Sequence, residues 1–211
     1  MLNVQPFLSR SLCRLRQLAG DQSGVSAVEF ALLLPLMLTL YLGAVEISQA
    51  VAVGRKTTLT ARAVADLTAQ ATNVQTSDMK NILDAATAII QPYPDTVSST
   101  AVLRVRVSEI MIDANGRTTA VWSAVRNRSG TFDVYPAGST VTLPGTGTAA
   151  TFTPATGSAC TPSYIIWGEA QYDYTPTIGY VITGTLHLNE NRMFMRPRQG
   201  CNVTSTSTAY P

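Results

Sequence analysis

The hydrophobic pattern divides the chain into an apolar run, a helical stretch and a region of strands. From Val25 to Val53 only Glu29 and Glu46 are charged. Roughly 20 mostly apolar residues, rising about 1.5 Å each, cross a hydrocarbon core about 30 Å thick. Residues 25–53 are therefore predicted to be a membrane-spanning helix. The helical period continues beyond it: Leu59, Ala63, Val64, Leu67 and Ala71 share one face, with Arg55, Arg62 and Asp66 elsewhere. A second, amphipathic helix is predicted over 77–91. Met79, Ile82, Leu83, Ala86, Ile89 and Ile90 recur at helical spacing there, after the cap oxygens of Thr76-Ser77-Asp78 and before Pro92 and Pro94.

From residue 101 the period becomes two. Leu103, Val105 and Val107 alternate with Arg104, Arg106 and Ser108, which predicts a strand with one buried and one wet face. Asp113-Ala114-Asn115-Gly116 reads as a turn, and Thr118 to Val125 as the returning strand, with Trp122 as an anchor. A third strand is predicted over 164–174, stopped at Pro176. A fourth runs from Leu186 to Met195, with a bulge near Asn189-Glu190-Asn191. Residues 126–162, dense in Gly, Pro, Thr and Ser, are expected to form an exposed variable surface, since so long a connection is unusual in a compact domain. Thr204 to Pro211 is expected to be a disordered polar tail. The fold class is α+β, with a long N-terminal helix, a second helix and an antiparallel sheet of about four strands. The expected divisions are a leader (1–24), the span (25–53), helices (54–92), a β-rich domain (93–203) and the tail (204–211).

Composition narrows the function classes. A chain of 211 residues holds one span and one domain of ordinary size. The formal charge of +2 with scattered basic residues leaves no nucleic-acid footprint. Cys13 precedes the span; Cys160 and Cys201 follow it and can pair in an oxidising compartment, the alternative being two free thiols. Before the span, Arg10, Arg14 and Arg16 face one acid, Asp21, which favours a cytoplasmic N-terminus. Arg55, Lys56 and Arg62 on the far side blunt that signal. Within the span, Pro35 is expected to bend the helix, and Glu46 to sit at the membrane interface. Asp66 is expected to make a local surface pair.

Glu29 is the unusual residue. A carboxylate in lipid needs a partner. If a peptidase cuts after Gly24, Val25 acquires an α-amine. Glu29 lies four positions on, one turn away on the same helix face. The amine of a neighbouring subunit can serve equally.

This amine–carboxylate pair resembles the arrangement of type IV pilins and pseudopilins. Gly24-Val25-Ser26-Ala27-Val28-Glu29-Phe30-Ala31-Leu32-Leu33-Leu34-Pro35 and Arg62-Ala63-Val64-Ala65-Asp66-Leu67 resemble the TadE-like proteins of the tight-adherence (Flp) pilus system, with Met195-Arg196-Pro197-Arg198 as a weaker later sign. Phe30 stands where the major Flp pilins carry Tyr, which, with the large C-terminal domain, favours a minor pseudopilin. The resemblance implies a pilin-like fold, insertion in the inner membrane with the C-terminal domain periplasmic, and cleavage between Gly24 and Val25 by a prepilin peptidase. It assigns Glu29 and Phe30 to assembly and register. The implied partners are the peptidase, other Tad pseudopilins, the Flp pilin and the inner-membrane platform.

No chemistry of catalysis is legible. His187 is the one histidine and there is no Cys-x-x-Cys. Gly145-Thr146-Gly147 lacks the strand, helix and Lys of a phosphate loop. No cofactor or metal is expected, and the chain reads as a peptidase substrate rather than an enzyme. Two rivals follow from the same sequence: an uncut, membrane-anchored binding module or adhesin using the 126–162 loop, and a secreted protein cut near Ala50-Val51-Ala52.

Overall fold

The computed structural model describes residues 24–129, 132–144, 160–176, 178–179 and 183–206. The leader, including Cys13, the Gly145-Thr146-Gly147 stretch and the tail from residue 207 lie outside the described residues. In chain order the elements are α1 (Val25–Ala69), β1 (Asn73–Val74), α2 (Thr76–Ile90), β2 (Thr96–Val97), β3 (Thr100–Ala101), β4 (Leu103–Ile112), β5 (Thr118–Arg126), β6 (Ser163–Tyr174), β7 (Leu186–Met195) and β8 (Thr204–Ser205). The class is α+β, with one antiparallel four-stranded sheet in the order β5-β4-β6-β7.

Both helices pack on one face of this sheet. Alternation in β4 aims Leu103, Val105 and Val107 at them. Ile166, Ala170 and Tyr172 of β6 complete the floor, against Ala61, Val64 and Ala65 of α1 and Met79 and Leu83 of α2. Burying side chains of this size contributes roughly 1.5–3 kcal/mol each for the larger ones. Thr57, Thr60 and Thr68 of α1 are also buried. Their hydroxyls donate to the carbonyls of Val53, Lys56 and Val64 at 2.8–2.9 Å, so a polar residue enters the core with its hydrogen bond already made.

Local chemistry sets the joints. Helix α2 is capped by Gln75, one residue before the expected Thr76, and the Gln75 amide donates to Asp78 Oδ2 at 3.3 Å. Lys56 of α1 donates to the carbonyls of Ile89 and Gln91, placing a cation at the C-terminus of α2 where the helix dipole favours it. In the β4–β5 turn Asp113 Oδ1 accepts from the amides of Asn115 and Arg117, and Gly116 takes a φ of 76°. Between Ala170/Asn191 and Tyr172/Leu188, β7 carries one more residue than β6, a bulge within the expected 189–191 stretch.

The outer sheet face departs from the expected wet surface. Arg106 and Ser108 are 6% and 0% exposed. Residues 132–143, expected to be part of an exposed loop, fold back over this face. Ala120 N donates to Ser139 O, Gly138 N to Ala120 O and Val141 N to Thr118 O at 2.8–3.1 Å. Val141 and Leu143 then close a second apolar cluster with Ile110, Ile112, Ile165 and Trp167. Thr140 bridges Thr119 in antiparallel fashion along the edge of β5, a pairing too short to leave a period in the sequence.

Arg106 is accommodated by a dense set of partners. Its Nε donates to Glu169 Oε2 at 2.6 Å and its two terminal nitrogens to Asp133 O and Tyr135 Oη at 2.6 Å each. The guanidinium lies 3.9 Å from the Tyr135 ring centre and 4.6 Å from that of Phe132. Burial, and then the Glu169 charge, push the Tyr135 hydroxyl up to about 12.

One boundary also moves. Thr204 and Ser205 do not belong to a disordered tail: they pair in parallel with Asn73 and Val74, because Thr204 N and Thr206 N donate to Thr72 O and Val74 O. Glu46, expected at a membrane interface, is 2% exposed, and Gly43 is buried as well. The domain therefore covers one side of α1 from Gly43 onward. Residues 25–41 are exposed save for the half-buried Thr39, whereas beyond Gly43 only the side of the helix away from the domain stays open, with Ile47 and Val51 54% and 48% exposed.

Candidate assembly site

Helix α1 begins with Val25 directly after Gly24, whose φ of −85° and ψ of −13° need no glycine and which has no side-chain cap. A Cβ on Gly24 would meet nothing within 4 Å. The fold thus gives no reason for glycine here, which leaves an external one open. Val25, Val28 and Phe30 are 50%, 61% and 59% exposed, and Glu29 is exposed among them. Val25 and Glu29 stand one turn apart, about 6 Å along the axis, within the same helix.

Among the described residues, nothing in the domain buries this end. From Val25 to Tyr41 every residue is exposed save the half-buried Thr39. Pro35 lies inside the helix, which continues through it, and Thr39 Oγ1 donates to Pro35 O at 2.8 Å. Among the described residues this is one helix long and apolar enough to cross a membrane. The four sequence-predicted residues Gly24, Val25, Glu29 and Phe30 are brought together on one exposed helix end. The pair Cys160 and Cys201 lies with the domain.

The other half of α1 is bound to the sheet by small residues. Gly168 of β6 faces Ala61 and Ala65 so closely that a Cβ would stand 2.4 Å from Ala61 O and 2.9 Å from Ala65 Cβ. The sequence carries that signal as an isolated glycine inside a strand pattern, which marks close backbone approach. Above this contact the chain after β7 straps the end of α1. Arg198 pairs with Asp66, and Arg198 N donates to Ala69 O at 2.9 Å. The two resembling stretches at 62–67 and 195–198 therefore meet in space.

The strap is held further on by three more fastenings. Cys201 is disulfide-bonded to Cys160, with Cα atoms 5.4 Å apart. Val203 is fully buried; its carbonyl accepts from Trp122 Nε1 at 2.7 Å and its amide donates to Glu109 Oε1 at 2.6 Å. Glu109 is itself fully buried, and its Oε2 has no hydrogen-bond partner. Burial raises its carboxyl from an ordinary 4.5 to about 7, against the lowering effect of the Val203 amide and the Trp122 indole. Thr204 then enters β8. His187 sits apart, on β7, with Nδ1 2.6 Å from Asp173 Oδ1, which also accepts from Arg104 at 2.7 Å through Oδ2. These two partners, outweighing burial, hold the Asp173 carboxyl below its usual range.

Residues 24–66 match the family model described as TadE-like protein. No curated protein and no solved structure matches the chain. The matched stretch starts at Gly24 and ends at Asp66, so it takes in the exposed helix end and the half of α1 that docks on the sheet.

Proposed function

From the TadE-like segment at residues 24–66 we propose that this chain is a minor pseudopilin needed for assembly of Flp/Tad-type adhesive pili. Its role is structural, as a substrate of a prepilin peptidase that cuts after Gly24. The observation that carries this reading is Glu29: an exposed carboxylate in an apolar helix, one turn from the residue that the cut would make the first. Residues 25–42 rise roughly 27 Å, close to the thickness of a hydrocarbon core of about 30 Å. An ionised acid inside that core costs about 2.5–3.5 kcal/mol on insertion scales. An α-amine on Val25, its own or a neighbour's, offsets that cost and fixes the axial register between helices. Phe30 packs beside that contact.

Supporting the cut, Gly24 bears no packing or capping duty, so the fold makes no demand on the residue before the cut. In this reading the helix enters the inner membrane with its N-terminus inside and its domain in the periplasm. An oxidising periplasm suits the Cys160–Cys201 bond. The partners are the peptidase, other Tad pseudopilins, the Flp pilin and the inner-membrane platform.

N-terminal sequencing of protein purified from its native membrane tests the reading. Val25 should be the first residue. Met1 on the working form would point instead to an uncut anchor, and Val53 to a secreted protein. Gly24→Ala should slow processing, whereas Glu29→Ala should leave processing largely intact and abolish piliation. Normal pili with Glu29→Ala would remove the register role.

A further inference from the structure

No linker separates the exposed apolar part of α1 from the domain. Leu42 is half-buried, Gly43 is buried, and Glu46 is 2% exposed. The covered side of the helix therefore begins where the roughly 27 Å rise of residues 25–42 ends.

The open side of the same turn is uncharged. Ala44 is exposed and Ile47 is 54% exposed. Glu46 is the one charged residue between Tyr41 and Arg55, and it is turned into the domain. On the open side its carboxylate would face lipid phosphates; on the covered side it does not. The outward surface of α1 from Leu42 to Gly54 thus carries no charge. Its polar groups are neutral, as in Ser48 and Gln49, both exposed. Gln49 Oε1 accepts from Tyr174 Oη at 3.0 Å, which fastens the end of β6 at this level.

Tyr41 marks the boundary independently. It is 66% exposed at the top of the apolar segment. Tyrosine is enriched at membrane–water interfaces, where its ring lies at the headgroup level. The headgroup layer is about 5–7 Å deep on each side of the hydrocarbon. From Gly43 to Ile47 the helix rises about 6 Å. The first turn of α1 that the domain covers therefore coincides with that layer, and Ile47 reaches its outer edge.

We infer that the lower rim of the domain, at the turn Gly43–Ile47 of α1, is seated in the headgroup layer, with Ala44 and Ile47 against lipid and Glu46 shielded inside the domain. The occupant of the open side is lipid, because that side continues the apolar surface of residues 25–42 with no charge between. The inference rests on those residues crossing the bilayer, as in the proposed function. The seat fixes the height of the domain. Raising it draws Ile47 out of the layer, and lowering it carries Ser48 and Gln49 toward hydrocarbon.

Indole quenching tests it in the full-length chain, reconstituted in phosphatidylcholine vesicles. The chain's own Trp122 and Trp167 lie inside the domain and give a constant background. Three exposed positions receive an added indole: Leu36→Trp in the span, Ile47→Trp in the seat, and Leu59→Trp about 18 Å above Ile47. In vesicles with a nitroxide on the headgroup, Ile47→Trp should lose most of its added emission and Leu59→Trp little. In vesicles with brominated acyl chains, Leu36→Trp should lose the most. Nitroxide quenching of Ile47→Trp no greater than that of Leu59→Trp, with Leu36→Trp still quenched by bromine, overturns the seat and leaves the span standing. Absence of quenching at Leu36→Trp as well overturns the span and the seat with it. An Ile47→Trp indole shielded from both the nitroxide and aqueous iodide places a second copy of the chain on this side and overturns the assignment to lipid. An unfolding midpoint equal to that of the unsubstituted chain shows that Ile47→Trp is folded. Should it not be, Ala44→Trp, in the same turn, takes its place with the same outcomes.

Discussion

Gly168 of β6 lies under Ala61 of α1 with no room for a methyl group between them: a Cβ at position 168 would stand 2.4 Å from the Ala61 carbonyl oxygen. The obstructing atom is backbone, so the clash cannot be relieved by a rotamer change. Gly168→Ala should cost about 1–3 kcal/mol, the usual cost of overpacking. Chemical denaturation in detergent, followed by the emission of Trp122 and Trp167, measures it. Unaltered stability would mean that the helix does not sit this close to the sheet.

Glu109 makes stability depend on pH. Its carboxyl is raised from 4.5 to about 7, so the folded state prefers the protonated form. Its contribution is fully present below pH 4.5 and is lost as pH rises through 7. A difference of this size corresponds to about 3 kcal/mol. Glu109→Gln should flatten the unfolding free energy between pH 4.5 and 7 and make the protein more stable than wild type at pH 8. A pH profile unchanged by Glu109→Gln would assign the dependence to another group.

The Cys160–Cys201 bond closes a separation of 41 residues. In the chain-entropy model such a closure is worth roughly 3–4 kcal/mol. Reduction, or Cys160→Ser with Cys201→Ser, should lower stability by about that amount. It should also speed proteolysis after Arg198, since beyond Arg198 the strap is then held without its covalent fastening, through Val203 and β8. Equal digestion rates for the oxidised and reduced forms would show that the bond does not hold the strap.

Arg106 and Glu169 form a buried pair, with side chains 7% and 5% exposed. Removing one partner of such a pair typically costs 3–5 kcal/mol, because the other charge stays buried. Arg106→Ala should approach about 3 kcal/mol, the low end of that range, since Arg192 lies 3.6 Å from Glu169 and retains part of the compensation. Glu169→Gln in the Arg106→Ala background should recover part of the loss by removing the stranded charge. A double substitution no better than the single one would mean that Arg192 already neutralises Glu169.

Periodicity made most of the architecture legible. Alternation at Leu103, Val105 and Val107 and at Tyr164 to Tyr174, and the spacing of Met79, Leu83 and Ala86, identify elements whose burial obeys a simple period. The exposed pair Val25 and Glu29 was legible for the same reason, since a charge is conspicuous in an apolar run. The cover over Arg106 and Ser108 was not, because residues 132–143 pair with β5 only briefly, around Thr140, and carry no period. Nor was the strap, which is gripped through the main-chain N–H and C=O of Val203, groups that every residue possesses. Glu109 left a trace: it occupies the inward register of β4, where an apolar residue belongs. The point near Gly43 at which one side of α1 becomes covered left none, since an apolar helix reads alike whether lipid or protein covers it.

Because one unbroken helix supplies both the exposed apolar segment and a core element, the head has no slack relative to its shaft. Any displacement of residues 25–42 along the helix axis carries Ala61, Ala65 and the strands fastened to them by the same distance. A machine that draws the shaft upward by one turn lifts the entire head by about 5.4 Å and delivers its full force to the Gly168 seam.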